Sequence, residues 1–431
     1  MTLRRIYLLG LVLWIHLGDL LTASIYQAGA VPEVAYARLV RDAAVVLAAA
    51  FCLFTARMAT SLLVPLMAYC GLVAASLAAS LGAGIQPGIM LGSFGTLLIP
   101  ILFFLVGYNC VRDASDIRVL VACYILIACL SAIFGVWEIS NTQFWLDTVK
   151  FPAYLREVKG LIFGAAPETG LPHNFFADLE QTRRAAGLLA APLAQGIVLV
   201  VAGVLVMATA GGRIRPSGAL ICLGLSIGIW MTGTRGAMVA GSIALTGYLV
   251  TARTSRAHFP LRIALALVVA FGILATTRGV LEATIRQSDG SSPGHSAAFQ
   301  RNIEGILQIP PLGYGIGTQG PVAAQATVIT LGGGEGAIFS IAYQAGLPAA
   351  LAFLVLFIVC LVRLWRANRD QETSFALAAF WLMLGLATTL VTSDHVLAVS
   401  GSASVWILTG GVMRLLARTS VRERVAVEAH A

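Results

Sequence analysis

Charge is scarce in this 431-residue chain: Asp, Glu, Lys and Arg make up only 11% of it, and hydrophobic residues make up 58%. A soluble domain of this length carries about a quarter of its residues as charged side chains, so the composition excludes an ordinary soluble protein. Long apolar runs on this background predict an all-α polytopic membrane protein, because helices satisfy their own backbone hydrogen bonds in lipid.

The usual sequence signatures of cofactor chemistry are also missing. The seven cysteines fall within apolar runs or at their ends, and they form no Cys-x-x-Cys pair and no Cys/His set with metal-ligand spacing. We find no phosphate-binding P-loop, no serine nucleophile elbow and no paired catalytic carboxylates. We therefore expect no disulfide framework, no metal and no cofactor.

The net charge of +8 raises the question of nucleic-acid binding. The arginines, however, are scattered between the apolar runs and form no basic patch with interleaved aromatic residues. We therefore expect no nucleic-acid partner.

Apolar segments of membrane-spanning length recur along the whole chain. We predict about twelve transmembrane helices, an even number that places both termini on one side of the membrane. The predicted spans are 6–26, 40–57, 61–81, 89–110, 117–138, 187–210, 217–233, 235–251, 261–277, 337–362, 374–392 and 402–417.

The distribution of arginine assigns a side to each loop. Most of the 28 Lys and Arg residues lie at the termini and in alternate loops, whereas the short loops between them are almost free of both. Because positively charged loops stay in the cytoplasm, we predict that both termini are cytoplasmic. The hydrophilic segments 139–186 and 278–336 are then two long outer loops, carrying short helices, of one membrane domain that covers 1–431.

Three of the arginines outside the cytoplasmic set are conspicuous. Arg184 ends the first long loop, Arg235 lies between two apolar runs, and Arg301 belongs to the second long loop. Guanidinium groups suit phosphate oxygens, so three of them facing one cavity are predicted to bind a pyrophosphate. The alternative is that each caps a helix or pairs with an acid. Acids in the two loops include Asp178, Glu180, Glu282 and Glu304.

Glu335 stands where apolar sequence resumes, after three glycines at 332–334. An ionisable group at a membrane boundary is costly and therefore indicates function. A carboxylate in a restricted site beside an acceptor hydroxyl serves as a general base. The alternative is that the dipole of the following helix alone favours a carboxylate at this position.

Two further residues, Arg183 and His395, are candidates for additional members of the site. Arg183 precedes Arg184, and His395 follows Asp394 in the last short outer loop. Asp394 and His395 are predicted to form a solvated turn, with proton transfer or sugar binding as the alternative.

A transporter is the alternative from another functional class. Twelve spans, glycine-rich interruptions and the pair His16 and Asp19 in the first span are typical of one. An ion pair with Arg41 is the simpler expectation for that pair. The absence of matching halves and the gathering of polar residues at one face favour an enzyme.

Four short motifs follow one another between residues 180 and 365, all on the predicted outer side. They are Arg-Ala-Ala-Gly at 184–187 with Pro192, Thr-Arg-Gly at 234–236, Arg301 with Pro-Leu-Gly-Tyr-Gly-Ile-Gly at 311–317, and Glu-Gly at 335–336 with Gly-Leu-Pro at 346–348.

In this order the motifs resemble those of the O-antigen ligase and Wzy-type polymerase superfamily of bacterial envelope enzymes. The resemblance implies a GT-C-like enzyme of the bacterial inner membrane, with an inverting, metal-independent glycosyl transfer at the periplasmic face. Its donor would be an undecaprenyl-pyrophosphate-linked glycan, its acceptor a second glycan, and its environment membrane lipid. A flippase and a chain-length regulator are implied as partners.

The ligases carry a histidine at the position of Glu335. A glutamate there resembles exopolysaccharide, capsule or O-antigen polymerases more than ligases that transfer glycan to lipid A-core, which remain the alternative. The resemblance implies that Arg184, Arg235 and Arg301 bind the pyrophosphate, with Arg235 and Arg301 also stabilising the leaving charge. Glu335 would activate the acceptor hydroxyl. A purely structural assembly protein is a third alternative.

Overall fold

A computed structural model gives the fold of most of the chain. The residues it describes are 2–29, 32–56, 58–82, 84–161, 164, 166, 169–176, 182–213, 215–252, 260, 262–263, 292–320, 322–323, 335–369 and 374–428.

The described chain is helical, with one isolated β-bridge between Phe176 and Arg183. Its α-helices, in chain order, are α1 (Leu3–Gln27), α2 (Ala37–Thr55), α3 (Thr60–Ser80), α4 (Pro87–Cys110), α5 (Ala114–Ser140), α6 (Phe151–Glu157), α7 (Pro192–Thr209), α8 (Pro216–Met231), α9 (Arg235–Thr251), α10 (Ser292–Gly305), α11 (Ala337–Ala345), α12 (Leu347–Arg369), α13 (Ser374–Ala387) and α14 (Val399–Glu428).

Length and apolarity mark this chain as a membrane protein. Within the described ranges, seven helices are long and apolar enough to cross a bilayer: α1, α3, α4, α5, α7, α12 and α14. Helices α8 and α13 are shorter and apolar. The prediction of an all-α membrane protein is confirmed. The predicted span 261–277 lies almost wholly outside the described residues, so the count of twelve stays a prediction.

One predicted span is wrong in its continuity. The segment 337–362 is two helices, α11 and α12, which meet at Gly346. Gly346 has φ +90°, and a Cβ there would stand 1.9 Å from the Pro311 carbonyl oxygen. Only glycine fits this conformation and this contact. The break turns α11 into a short helix that packs under the glycine-rich turn at 311–317.

The bundle core is organised around α4, α7 and α14. Helix α7 is buried along nearly its whole length. Helices α4 and α14 approach until their backbones touch: a Cβ on Gly107 would meet the Ile407 carbonyl oxygen at 2.0 Å, and one on Gly410 would meet that of Phe104 at 2.0 Å. Small residues permit such close helix packing in membranes.

The bundle has two chemically different ends. At the first, which we call the basic end, Arg5 pairs with Asp116 at the start of α5, and Arg418 donates to the Arg112 carbonyl oxygen over 2.7 Å. At the opposite end, which we call the site end, α5 finishes at Ser140, and α7, α9, α11 and α14 begin. The side of the membrane that each end faces stays a prediction.

The expected ion pair of Asp19 with Arg41 is wrong. Asp19 accepts from Lys159 Nζ at 2.7 Å, and Arg41 pairs with its sequence neighbour Asp42 at 2.6 Å. His16 is buried, with Nε2 3.1 Å from Ser404 Oγ on α14. His16 and Asp19 are one helical turn apart, yet they have different partners. Asp19 lies closer to the site end, so its carboxylate reaches Lys159 in the segment that follows α6.

Candidate functional site

Arg183 belongs to an aromatic cluster at the site end. Its Nη2 lies 2.8 Å from Glu138 Oε2 on α5, and its guanidinium lies over the rings of Phe175 and Phe176 at 5.3 and 5.5 Å. Glu138 is fully buried and also accepts from the indole nitrogen of Trp145. An arginine held by a buried carboxylate and two aromatic rings has a structural role.

Arg184 points in a different direction and has neutral partners. Its Nε donates to the Thr232 carbonyl oxygen at 2.7 Å, and its Nη2 donates to Thr234 Oγ1 at 3.0 Å. The backbone of the segment is fixed on both sides, since Arg184 N donates to the Phe175 carbonyl and Ala185 N to that of Met231. Among the described residues, no carboxylate forms an ion pair with Arg184.

Arg235 is the first residue of α9 and stands beside Arg184. The cap residue Thr234 ties the two together, because its hydroxyl accepts from Arg184 and donates to the Pro192 carbonyl at 3.2 Å, where α7 begins. The charge of Arg235 acts on Arg184: burial first, and then this like charge, lower the pKa of Arg184 to about 10. The two guanidinium groups therefore lie close enough for their charges to interact.

The loop between α13 and α14 closes the other side of the region around these two arginines. His395 is 7% exposed, and a Cβ on Gly236 would lie 3.4 Å from its Nε2, so the imidazole packs directly on the first turn of α9. Burial first, and then the charge of Arg184, lower the pKa of His395 to about 4. The imidazole is therefore neutral at pH 7. The expected solvated turn is wrong for His395.

Asp394 shares this loop and lies near Glu335. Burial first, and then the charge of Glu335, raise the pKa of Asp394 to about 7. Its Oδ1 is buried, and no described residue donates a hydrogen bond to it. A carboxyl group that holds its proton near neutral pH, beside another carboxylate, is typical of functional sites.

The backbone places Glu335 next to that loop. Ala337 N donates to the Ser393 carbonyl at 3.2 Å, and Ile338 N donates to that of Leu390 at 3.0 Å. These bonds satisfy amides at the start of α11 that have no partner within the helix. Gly336 has φ +93° and packs on Val391. Glu335 therefore precedes α11 and lies in the same cluster as Asp394.

Arg301 lies on α10, next to Asn302, which contacts Glu335. Asn302 Nδ2 donates to the Glu335 carbonyl oxygen at 2.8 Å. The Arg301 side chain is exposed, and the described residues offer it no ion-pair partner. Glu304, one of the acids considered for the arginines, accepts instead from Gln300 at 2.7 Å. Asp178, Glu180 and Glu282 lie outside the described residues.

The glycine-rich turn at 311–317 is fixed to the bundle by buried side chains. Ser80 Oγ accepts from Ile316 N at 2.7 Å, and Gln344 Oε1 accepts from Gly317 N at 2.8 Å. Ser76 Oγ lies 2.8 Å from the Leu312 carbonyl oxygen. The turn is thus held by hydrogen bonds between α3 and α11 at the site end.

The site therefore brings together groups that are far apart in sequence: two arginines, a neutral histidine and two carboxyl groups. Sequence reasoning found the two arginines, His395 and Glu335. It missed Glu138 as the partner of Arg183 and did not assign Asp394 to the site. A signal for Glu138 was available, since it is an acid within a predicted apolar span.

Among the described residues, no group of three or more His, Cys, Asp or Glu side chains has the arrangement of a metal site. The arrangement can bind an anion at the arginines and accept a proton at Glu335. Comparison with known protein families and with curated proteins gives no match for this chain.

Proposed function

We propose that this protein is a membrane glycosyltransferase that polymerises undecaprenyl-pyrophosphate-linked oligosaccharide repeat units into an extracellular, capsular or O-antigen polysaccharide. The observation that supports it best is the convergence of Arg184, Arg235 and Glu335 at one end of the bundle. Three segments distant in sequence supply them. The reaction needs both an anion site and a base, and arginine and glutamate side chains suit these two roles.

In this proposal the arginines hold the pyrophosphate. Arg184 and Arg235 form a fixed positive region that neutralises charge on the leaving phosphate oxygen as its bond to the anomeric carbon breaks. Arg301, exposed on α10, would contact the donor from the second loop. Arg183 is left out of this role because Glu138 holds it.

Glu335 would accept the proton of the acceptor hydroxyl while that oxygen attacks the anomeric carbon from the opposite face. The new glycosidic bond forms as the bond to phosphate breaks, so configuration inverts and the charge leaves on lipid pyrophosphate. The neighbouring Asp394 has a pKa raised to about 7 by burial and by the charge of Glu335, so near neutral pH it can hold a proton beside the base.

The test is a purified-enzyme assay with defined lipid-linked repeat units, read by product length on gels. We expect Glu335→Gln and Arg235→Ala each to lower the rate by about 10²-fold or more. Matched controls are Glu157→Gln and Arg213→Ala, which alter exposed side chains that are not among the residues assigned to the site. Normal polymer from either site variant would refute the role assigned to that residue.

The same assay separates the alternatives. Transfer to lipid A-core without elongation would identify a ligase. Movement of the lipid-linked substrate across vesicles, with no new glycosidic bond, would identify a transporter. Asp19 bears on that choice, because its ion pair with Lys159 favours a structural role over the proton relay of a transporter.

A further inference from the structure

The side chain of Asn302 joins three segments at the site end. It is 1% exposed, and its amide is used in both directions. Nδ2 donates to the Glu335 carbonyl oxygen at 2.8 Å, and Oδ1 accepts from Gln319 Nε2 at 3.2 Å. Gln319 is fully buried just beyond the glycine-rich turn. A single amide thus joins α10, the turn and the residue that precedes α11.

The main chain of Asn302 is held as well. Tyr343 Oη on α11 donates to the Asn302 carbonyl at 3.3 Å. The contact depends on Gly305, where a Cβ would stand 2.1 Å from that hydroxyl oxygen. One turn earlier, Phe299 meets Phe339 edge to face at 6.0 Å. Helix α10 is therefore docked on α11 in one register, with Asn302 at the centre of the contact.

The bond to Glu335 acts at a position that controls the carboxylate. It lies outside helical hydrogen bonding, on the carbonyl just before Gly336, which has φ +93°. Fixing the direction of a carbonyl group fixes ψ of its residue. In Glu335, the hydrogen bond therefore fixes the peptide plane that follows the Cα to which the side chain is attached. The next residue, Gly336, packs on the loop that carries Asp394.

We propose that Asn302 is a positioning residue that sets the Glu335 carboxylate in its working place and couples that place to the position of the helix carrying Arg301. This rests on the proposed function, in which Glu335 is the base. Asn302 itself touches no reacting atom. Its effect is on geometry, and a displacement of about 1 Å at a reacting group can cost about 10²-fold in rate.

Two variants test the proposal with one matched control. Asn302→Asp keeps the size and still accepts from Gln319, but it turns an oxygen towards the Glu335 carbonyl. Asn302→Leu removes both bonds. Gln300→Leu makes the same change from amide to apolar on an exposed position of α10, where the amide donates to Glu304. Rates of elongation are measured against donor concentration from pH 5 to pH 9.

We expect both Asn302 variants to lower kcat by about 10- to 100-fold, with KM for the lipid-linked donor changed less than about threefold. The pH–rate profile should shift, because the charge of Glu335 helps to raise the pKa of Asp394 and would then stand at a different distance from it. Gln300→Leu should keep both the rate and the profile. A loss of folded protein alone would scale the rate equally at every pH.

Several results would overturn the proposal. Wild-type kcat and pH profile in Asn302→Asp would do so, and so would a loss that is uniform in pH and matched by a loss of folded protein. If the Asn302 variants do not accumulate, Tyr343→Phe removes only the hydroxyl that holds the Asn302 carbonyl, and the same shift should appear at smaller size. An unchanged profile there would also overturn it. If wild-type protein forms no product, the proposed function fails independently.

Discussion

Arg183 and Arg184 are neighbours in sequence at the same end of the bundle, yet their surroundings are opposite. Arg183 faces the fully buried Glu138 and two aromatic rings. Arg184 faces a carbonyl and a hydroxyl of the α8–α9 connection and stands beside Arg235, with no ion-pair partner among the described residues. Backbone bonds on both sides of the segment send the two side chains to different regions.

The difference separates a cation that is neutralised within the protein from one that keeps its charge, and the proposed function assigns the second to the pyrophosphate. A cation with a buried counter-charge is internally neutralised, and removing its partner costs stability. A cation with neutral partners beside a second cation keeps its positive potential, which suits an anionic ligand. The two regions therefore predict different consequences for similar substitutions.

The largest effect is expected at Glu138. Glu138→Gln leaves the Arg183 guanidinium partly buried without its counter-charge, so we expect the free energy of unfolding to fall by about 3–5 kcal/mol. Thermal unfolding in detergent measures it. Glu157→Gln, at an exposed carboxylate, is the control. The double variant Glu138→Gln with Arg183→Met removes the unpaired charge while residue 138 can still accept from Trp145, so it should recover much of the loss. If Glu138→Gln unfolded at the same temperature as wild type, the distinction between the two arginines would be wrong.

Arg184→Met should lower the reaction rate strongly and leave the stability almost unchanged. The apolar stem is kept while the charge is lost, so we expect the polymerisation rate to fall by about 10²- to 10³-fold. The unfolding free energy should stay within about 1 kcal/mol of wild type, since only bonds to neutral groups are removed. Arg213→Met serves as the exposed control. A destabilisation as large as that of Glu138→Gln would show that Arg184 is structural too.

Asp394→Asn should change stability in a pH-dependent way. The pKa of Asp394 is raised to about 7, so the stability linked to its protonated form is present in acid and is lost as pH rises towards 7. Asn stays neutral, so the variant should match wild type near pH 4 and exceed it at pH 8 by roughly 1–3 kcal/mol. Unfolding midpoints at pH 4.5, 6 and 8 measure the difference. A difference that does not vary with pH would contradict the assignment.

The smallest effect is expected at Gly236. A Cβ there would lie 3.4 Å from His395 Nε2, so Gly236→Ala should cost less than about 1 kcal/mol and retain activity. Gly236→Leu should displace the imidazole and cost about 1–3 kcal/mol. Paired rate and melting measurements check both. If Gly236→Ala were as damaging as Gly236→Leu, the packing of His395 on α9 would not be the reason.

Much of the fold followed from hydrophobic runs, because a helix in lipid needs only its own backbone bonds and an apolar surface. Helices α1 to α5 begin and end within a few residues of the predicted spans. The exception at Gly346 is instructive: an apolar run does not reveal that its backbone must turn aside to meet the Pro311 carbonyl. Hydropathy carries no information about such close contacts.

The residues that the structure brings together at the site end were easier to identify from the sequence than their contacts. Arg184, Arg235, Glu335 and His395 were identifiable because polar groups next to apolar runs are costly. The partner of Arg183 could not be identified from the sequence, because Glu138 lies 45 residues away and the acids of the two long loops were equally good candidates. The burial of Asp394 was also unpredictable, since a short polar segment between two spans reads as an exposed turn.

The sequence alone determined that this is a helical membrane protein with its unusual charges at the boundaries of apolar runs. Composition and periodicity suffice for that, because they describe how each segment meets lipid. Only the tertiary structure decided which of two adjacent arginines is neutralised, which carboxyl group keeps its proton, and which amide holds Glu335. Those properties depend on distances between segments far apart in the chain, and packing sets these distances.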